Sequence, residues 1–364
     1  MINLEQTLNE QQNLSQLCSD TPPKLLNTCE IFPPNAYYGN DLIYKLYADL
    51  PFQYSLKAVL PHGPQIYVNP KDNVWKYELE NSLPEIWCYS NQSTQIYSQA
   101  LKNSKIDKKV IPSASPFLYL LKLIKADSIL SERRGTIFFP SHSSHHIIDD
   151  TSFEVLASKL DCLGEEYRPI SVCIYWQDFN LGRHLPFEKR GMKIVSAGHI
   201  YDPGFLFRFY HLCSLHKYSC ANDYGTAILY SIKSGCSYFH LDADDMYSNN
   251  VRKINNSNVC LPNDPASYVS TKVTSLEEKI NQVKTFRDLF AVPKQQLISE
   301  QIEFVDEILG NQFLKTPNEL KNIIMAAEAK YVATSEIAIQ YQRLWEMRFK
   351  RLREHPLYRF FRRK

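Results

Sequence analysis

Five segments of this 364-residue chain set chemically useful side chains directly after apolar runs. His142, His145 and His146 follow Phe139. Trp176 and Asp178, then Arg183 and His184, follow Tyr175. His199, Tyr201 and Asp202 follow Ala197. Asn222, Gly225 and Thr226 follow Ala221, and Asp242, Asp244 and Asp245 follow Leu241. The fourth segment points to phosphate binding. A helix starting near Ala227 exposes unpaired N–H groups at its first turn, which hold anions. Gly225 lets a ligand reach the backbone, and Thr226 adds a hydroxyl. Asn222 or Thr226 would also serve as a plain helix cap. His142 and His145 stand at i, i+3, a spacing open to metal ligation, to hydrogen bonding of a phosphate or sugar, or to an ordinary structural role. Asp242-Ala-Asp244 has the form of the DxD that holds a divalent cation against a nucleotide diphosphate; acids solvated at a strand end have it too. His62, after the run ending at Leu60, could act as a general base on an acceptor hydroxyl, since imidazole titrates near neutrality.

The elements that must position these residues are legible as two series. Short runs at Ser55–Leu60, Glu85–Tyr89 and Lys109–Ile111 predict strands, with helices at Thr94–Asn103 and Phe117–Ala126. A clearer series follows: Thr136–Phe139, Ile170–Trp176, Lys193–Ala197, Tyr218–Ala221 and Cys236–Leu241. Helix-compatible segments separate them at Ser152–Leu160, Pro203–Leu215 and Ala227–Ser234. This alternation predicts parallel sheets covered by helices, and in such sheets ligands bind beyond the carboxyl ends of the strands. The reading is an α/β chain of two Rossmann-like domains facing across a cleft, residues 1–130 and 131–270, with the boundary near residues 127–134. Residues 1–35 and 247–270 read as irregular. Residues 271–364 read as a helical extension, with capping boxes at Thr274–Glu277 and Thr316–Glu319.

Composition narrows the classes. Gly is 11 of 364 residues, well under the usual ~7%, and neither a Walker A loop nor a GxGxxG fingerprint occurs. Net charge is +2, but Arg343–Lys364 holds nine Lys/Arg against two Glu. The chain is therefore a slightly acidic body with a basic tail, which argues against nucleic acid as a partner. On a helix, Ile337, Tyr341, Leu344, Trp345, Phe349 and Leu352 share one face. With the surrounding Arg and Lys, they suit an anionic membrane surface. The nine cysteines form no CxxC and read as reduced, buried thiols of a cytoplasmic protein. The polar start lacks a signal-peptide core, and the longest apolar stretch, Pro116–Ile124, falls short of a membrane span.

Over residues 137–241, the stretches FFPSHSSHH, CIYWQDFNLG, GMKIVSAGHIYDPGFL and ANDYGTAILYSIKSG resemble bacterial glycosyltransferases encoded with capsule and O-antigen genes. The resemblance extends over roughly residues 55–245. It implies a GT-B fold, with donor nucleotide on the C-terminal domain and acceptor on the N-terminal one. It implies no cofactor requirement and no bound metal; a nucleotide sugar would be the donor and a glycan or lipid-linked glycan the acceptor. By position, Asn222, Gly225 and Thr226 would hold donor phosphate. His142 and His199 would line the donor site, and Trp176 and Asp178 would form its rim. His62 and His199 are the catalytic candidates, and Arg343–Lys364 would bring the protein to the inner face of the membrane. The chain departs from the family pattern at Ala221-Asn222-Asp223, where Ser-Asn-small is expected, and in the acid-rich Asp242–Asp245. Two other readings of the residues are a DxD-dependent, GT-A-like transferase and a non-catalytic, membrane-associated glycan-binding or scaffold protein.

Overall fold

The computed structural model describes residues 14–19, 30–64, 72–124, 132–144, 147–241, 251–253 and 267–354. In chain order the strands are β1 (Ala58–Val59), β2 (Asn73–Trp75), β3 (Glu85–Cys88), β4 (Lys109–Pro112), β5 (Thr136–Phe139) and β6 (Ile147–Asp149). They continue with β7 (Ile170–Cys173), β8 (Lys193–Val195), β9 (Tyr218–Ala221), β10 (Ser237–His240), β11 (Val251–Lys253) and β12 (Tyr268–Ser270). The helices of eight residues or more are α1 (Asn40–Tyr47), α2 (Asn91–Ser104), α3 (Pro116–Leu123), α4 (Phe153–Asp161) and α5 (Phe205–Ser214). After them come α6 (Thr226–Lys233), α7 (Leu276–Phe290), α8 (Ser299–Leu309) and α9 (Pro317–Glu354).

The chain is mixed α/β, with two parallel sheets. The larger runs β10-β9-β5-β7-β8 and the smaller β1-β3-β4. In the larger sheet the chain starts at the centre, steps outward through β7 to β8, then returns beside β5 as β9. The strand order therefore reverses between β5 and β9, and a crevice opens there at the carboxyl edge. Strands β5, β9 and β10 are buried along their whole length, so they read as largely apolar runs rather than as alternating ones. Ile137 and Phe139 enter one apolar cluster and Phe138 the other, as the period-two alternation of a strand requires.

One cluster joins both sheets. It takes Ala58, Leu60 and Trp87 from the smaller sheet, Ile137, Phe139 and Ala221 from the larger, and side chains of α1, α3 and α5–α9 between them. The elements also cross the expected boundary at 127–134. Leu14 and Cys18 pack on the larger sheet, and Asn180 donates to the Cys18 carbonyl at 2.9 Å. Strand β12 pairs antiparallel with β2, and Lys330 of α9 pairs with Glu85 of β3.

Several local expectations are corrected. The 247–270 segment, read as a loop, contributes β11, which pairs with β6, and β12. The run Ile170–Trp176 stops as a strand at Cys173, and Trp176 opens a short helix, Trp176–Asn180. The first capping box lies one residue later than expected, with Ser275 and Glu278 exchanging bonds of 2.7 and 3.1 Å. Thr274 is engaged elsewhere: its N–H donates to Asp72 and its hydroxyl accepts from Gln92. The Thr316–Glu319 box forms as expected. The seven cysteines among the described residues are free thiols, and Cys162 is exposed rather than buried. No described helix is long and apolar enough to cross a membrane. Helix α9 runs on to Glu354; the side chains of 337–339 and of 341–354, and residues 355–364, lie outside the described residues, and with them the basic amphipathic tail.

Candidate functional site

A cavity of about 280 Å³ opens at the carboxyl edge of the larger sheet, lined after β5, β7, β8 and β9 and also by Tyr38, Asn40 and His62. Small-molecule sites commonly span ~300–1,000 Å³. Four of the expected site residues line it: His62, His142, Gly225 and Thr226.

The wall at Gly225–Thr226 is the start of α6. Gly225 is its N-cap, with no side-chain cap bond, and nothing lies within 4 Å of where a Cβ would stand. The first N–H groups of α6 therefore carry no side-chain cap, and the helix dipole adds partial positive charge. The Thr226 hydroxyl donates weakly to the Pro64 carbonyl at 3.4 Å. Asp223, also in the wall, accepts the Tyr224 N–H at 2.7 Å. Among the described lining residues there is no Lys or Arg, so an anion would rely on backbone N–H groups, Thr226 and imidazole.

His62 and His142 flank this helix start. The Nδ1 of His142 lies 3.1 Å from the Ser143 carbonyl and so carries the proton there; its ring packs on Tyr175 at 4.5 Å. Nε2 has no hydrogen bond within the described residues. The His62 ring rests edge-on against Tyr37 and Tyr38, at 5.9 Å from each. Its surface is open to the cavity. The dense surround of the site, and secondly the His142 ring, nonetheless hold its pKa below the ordinary imidazole value. A neutral imidazole at pH 7 is the form that accepts a proton. The backbone of His62 is held from behind. Its N–H donates at 3.2 Å to Glu78, which is 1% exposed and takes the Tyr97 hydroxyl at 2.6 Å. Burial pushes the Glu78 carboxyl up to about 7.

The other expected site residues stand one layer behind the wall. Asn222 is locked to Ser141: its Oδ1 accepts the Ser141 N–H at 2.8 Å and its Nδ2 donates to the hydroxyl at 3.0 Å. It ties the β9 loop to the β5 loop. Asp178 is fully buried, pairs with Arg183 at 2.6 Å and accepts the Ser143 N–H at 2.8 Å. Arg183 also donates to the Thr151 carbonyl at 2.7 Å. This pair shapes the loop that carries His142. His199 is 1% exposed between Trp176 and Tyr201, with ring separations of 4.7 and 5.0 Å. Its Nδ1 accepts the Tyr201 N–H at 3.2 Å. Trp176 is buried against it. Neither lines the cavity; Ala197 and Gly198 do. Asp202 accepts the Gly204 N–H and pairs with Arg208, whose Nε donates to the Ala197 carbonyl, so the AGH–DP stretch fixes this part of the wall.

Sequence reasoning missed Tyr38, Asn40 and Tyr175 as lining residues. The Tyr38 and Tyr175 hydroxyls lie in each other's electrostatic reach, and burial raises both well above the usual tyrosine range. The segment before α1 is clamped to the larger sheet's loops: the Tyr38 N–H donates to the Ile200 carbonyl at 2.6 Å. Gly39, at φ +78°, sits so close to Pro203 that a Cβ would collide with its carbonyl. That close approach was the available signal, a Tyr-Tyr-Gly-Asn turn after two prolines.

No group of three or more His, Cys, Asp or Glu placed to hold a metal occurs among the described residues. Asp242, Asp244 and Asp245, and likewise His145 and His146, lie outside the described residues. No family model matches the chain, and no curated protein matches it. Among solved structures, the chain is similar to a chain in the "Crystal structure of GtfA/B complex", with TM-score 0.33 and 12% identity over 81% of this chain and 55% of that one. It spans about half the length of that neighbour.

Proposed function

We propose that the cavity binds a nucleotide sugar and that the protein is a glycosyltransferase of GT-B type. The observation that carries this reading is the start of α6, without a side-chain cap at Gly225–Thr226, in one cavity with His62 and His142 at the strand-order reversal. An acceptor hydroxyl would attack the anomeric carbon as its bond to the donor phosphate breaks. His62 would take the hydroxyl proton. The leaving phosphate would rest on the α6 N–H groups and Thr226, beside His142, where preorganised donors stabilise the developing charge. Asn222, Asp178, His199 and Trp176 would act from behind, by holding the loops. No cofactor is needed for this chemistry, and no step is assigned to a metal. The resemblance of residues 137–241 supports a glycan or lipid-linked glycan as acceptor, made for a cell-surface polysaccharide. The basic, aromatic 343–364 segment supports peripheral attachment to the inner membrane face from the cytoplasm.

The test is thermal stability with CMP, CDP, UDP and GDP, each with and without EDTA. A ligand at ~100 times its Kd adds about 2.7 kcal/mol. One nucleotide should stabilise the protein regardless of EDTA, and Thr226→Ala should diminish that shift. Stabilisation abolished by EDTA would transfer the site to Asp242 and Asp244. No shift with any nucleotide would overturn the donor reading in favour of a non-catalytic glycan-binding or scaffold protein.

A further inference from the structure

Strands β2 and β12 form a two-stranded antiparallel ribbon that pairs Trp75 with Tyr268 and Asn73 with Ser270. Side chains alternate between the faces of such a ribbon. Val74 is 1% exposed and packs with Ile96, Tyr97 and Ala100 of α2, so its face is the inner one. The outer face carries Trp75, Tyr268, Asn73 and Ser270. Tyr77, two residues past Trp75, is 41% exposed, and Trp75 and Tyr268 are half-buried. The Trp75 ring centre lies 4.3 Å from that of Tyr268 and 5.5 Å from that of Tyr77, with planes inclined by 36° and 39°. Buried Phe32 stacks on Tyr77 at 5.9 Å and supports it. Three large rings thus reach solvent together, outside the core that Val74 closes.

One buried carboxylate ties this surface to the candidate site. Glu78 accepts the N–H of Trp75 and, at 3.2 Å, the N–H of His62. Tyr77 directly precedes Glu78, and its hydroxyl feels that of Tyr37, whose ring rests on His62 at 5.9 Å. The rings and His62 are parts of one hydrogen-bonded unit.

Aromatic faces carry partial negative charge. A pyranose offers the complement, a flat face of C–H bonds with weakly positive hydrogens, rimmed by hydroxyls. Asn73, Ser270 and the tyrosine hydroxyls supply hydrogen-bonding groups beside the rings. A membrane surface would need aliphatic depth and clustered cations, and none of the four outward ribbon positions is aliphatic or charged.

We propose that Trp75, Tyr268 and Tyr77 form an acceptor subsite, on which pyranose rings of a glycan chain stack with the chain's end toward His62. This deepens the transferase reading and rests on it for the acceptor's role; the stacking itself needs no donor.

The experiment is titration calorimetry on the full chain with maltohexaose, cellohexaose and chitohexaose, beside the nucleotide thermal shift. At least one hexasaccharide should bind the wild type, and Trp75→Ala should weaken it by about tenfold or more. Tyr77→Ala, at an exposed position, should weaken it by about threefold or more and decides the matter if the Trp75 variant does not fold. Neither change should alter the nucleotide shift. Variants that bind the hexasaccharide as the wild type does overturn the proposal and leave the transferase reading standing, as does a wild type that binds a nucleotide but no hexasaccharide. Binding of phosphatidylglycerol vesicles, lost in Tyr77→Ala, with no hexasaccharide bound overturns it in favour of a membrane surface. Hexasaccharide binding lost in the variants, with no nucleotide bound by the wild type, overturns the transferase reading and leaves the glycan platform standing.

Discussion

Glu78 offers a quantitative test of how the site is held. Its carboxyl is fully enclosed, and the groups that act on it are hydrogen-bond donors rather than cations: the Tyr97 hydroxyl and the N–H groups of His62 and Trp75. Desolvation outweighs those bonds and lifts the pKa from 4.5 to about 7. The folded protein therefore holds this proton more tightly than the unfolded chain does. The resulting stabilisation is complete below pH ~4.5 and is lost as pH rises through about 7. At 1.36 kcal/mol per unit, the loss comes to about 3 kcal/mol, with a slope near ~1.4 kcal/mol per pH unit. Glu78→Gln removes the titration and keeps the shape. Its amide oxygen can still accept from His62, and its NH₂ can donate to Tyr97. Urea unfolding of both proteins from pH 4.5 to 8.5 should show the wild type falling by about 3 kcal/mol relative to the glutamine variant. Other ionisable groups titrate equally in both and cancel. Two parallel stability curves would refute the reasoning, because Glu78 would then have an ordinary pKa despite its burial.

His62, held below the ordinary imidazole range, should give a transfer rate whose acid limb falls below pH 6.5. His62→Gln should lower kcat by about 10²–10⁴-fold and abolish that limb; steady-state rates across pH check both. Gly39→Ala should destabilise the protein by more than about 2 kcal/mol in urea, since φ +78° and the Pro203 carbonyl both oppose a Cβ. Arg183→Ala should cost about 3–5 kcal/mol by stranding the buried Asp178 carboxylate. Arg190→Ala, which breaks the exposed pair with Glu154, should cost under about 1 kcal/mol in the same assay.

Much of the larger sheet was legible because its strands are covered on both faces. Thr136–Phe139 and Tyr218–Ala221 end where the apolar runs end. A strand sheltered on both faces has no alternating solvent-facing positions, and its few polar residues, Thr136 and Ser219, are small and buried. Strands β11 and β12 were not legible, because they are three-residue edges in polar sequence. Their pairing rests on β6 and β2, about 100 and 195 residues earlier in the chain, respectively. The expected separation into domains at 127–134 follows from counting two strand series. A sequence pattern does not record that α1, α3 and the C-terminal helices pack both series into one apolar cluster.

The cavity's position at the carboxyl edge was legible in the sequence; the residues that line it were legible only in part. Asp, Asn and His collect at strand ends for two reasons that look alike in sequence: they bind ligands, and they bond the loops that bind ligands. Asn222 and Asp178 took the second role. Each spends its polar atoms on Ser141 or on Ser143 and Arg183, so neither has the free capacity a ligand needs. His62 and His142 reach the cavity with ring nitrogens to spare among the described residues. Unused hydrogen-bonding capacity facing a cavity is therefore what separates contact from support here, and only the folded chain displays it. Tyr38 shows most plainly what the sequence does not display. It follows no strand of the larger sheet, and it lines the cavity where Gly39 lets the chain pass against Pro203.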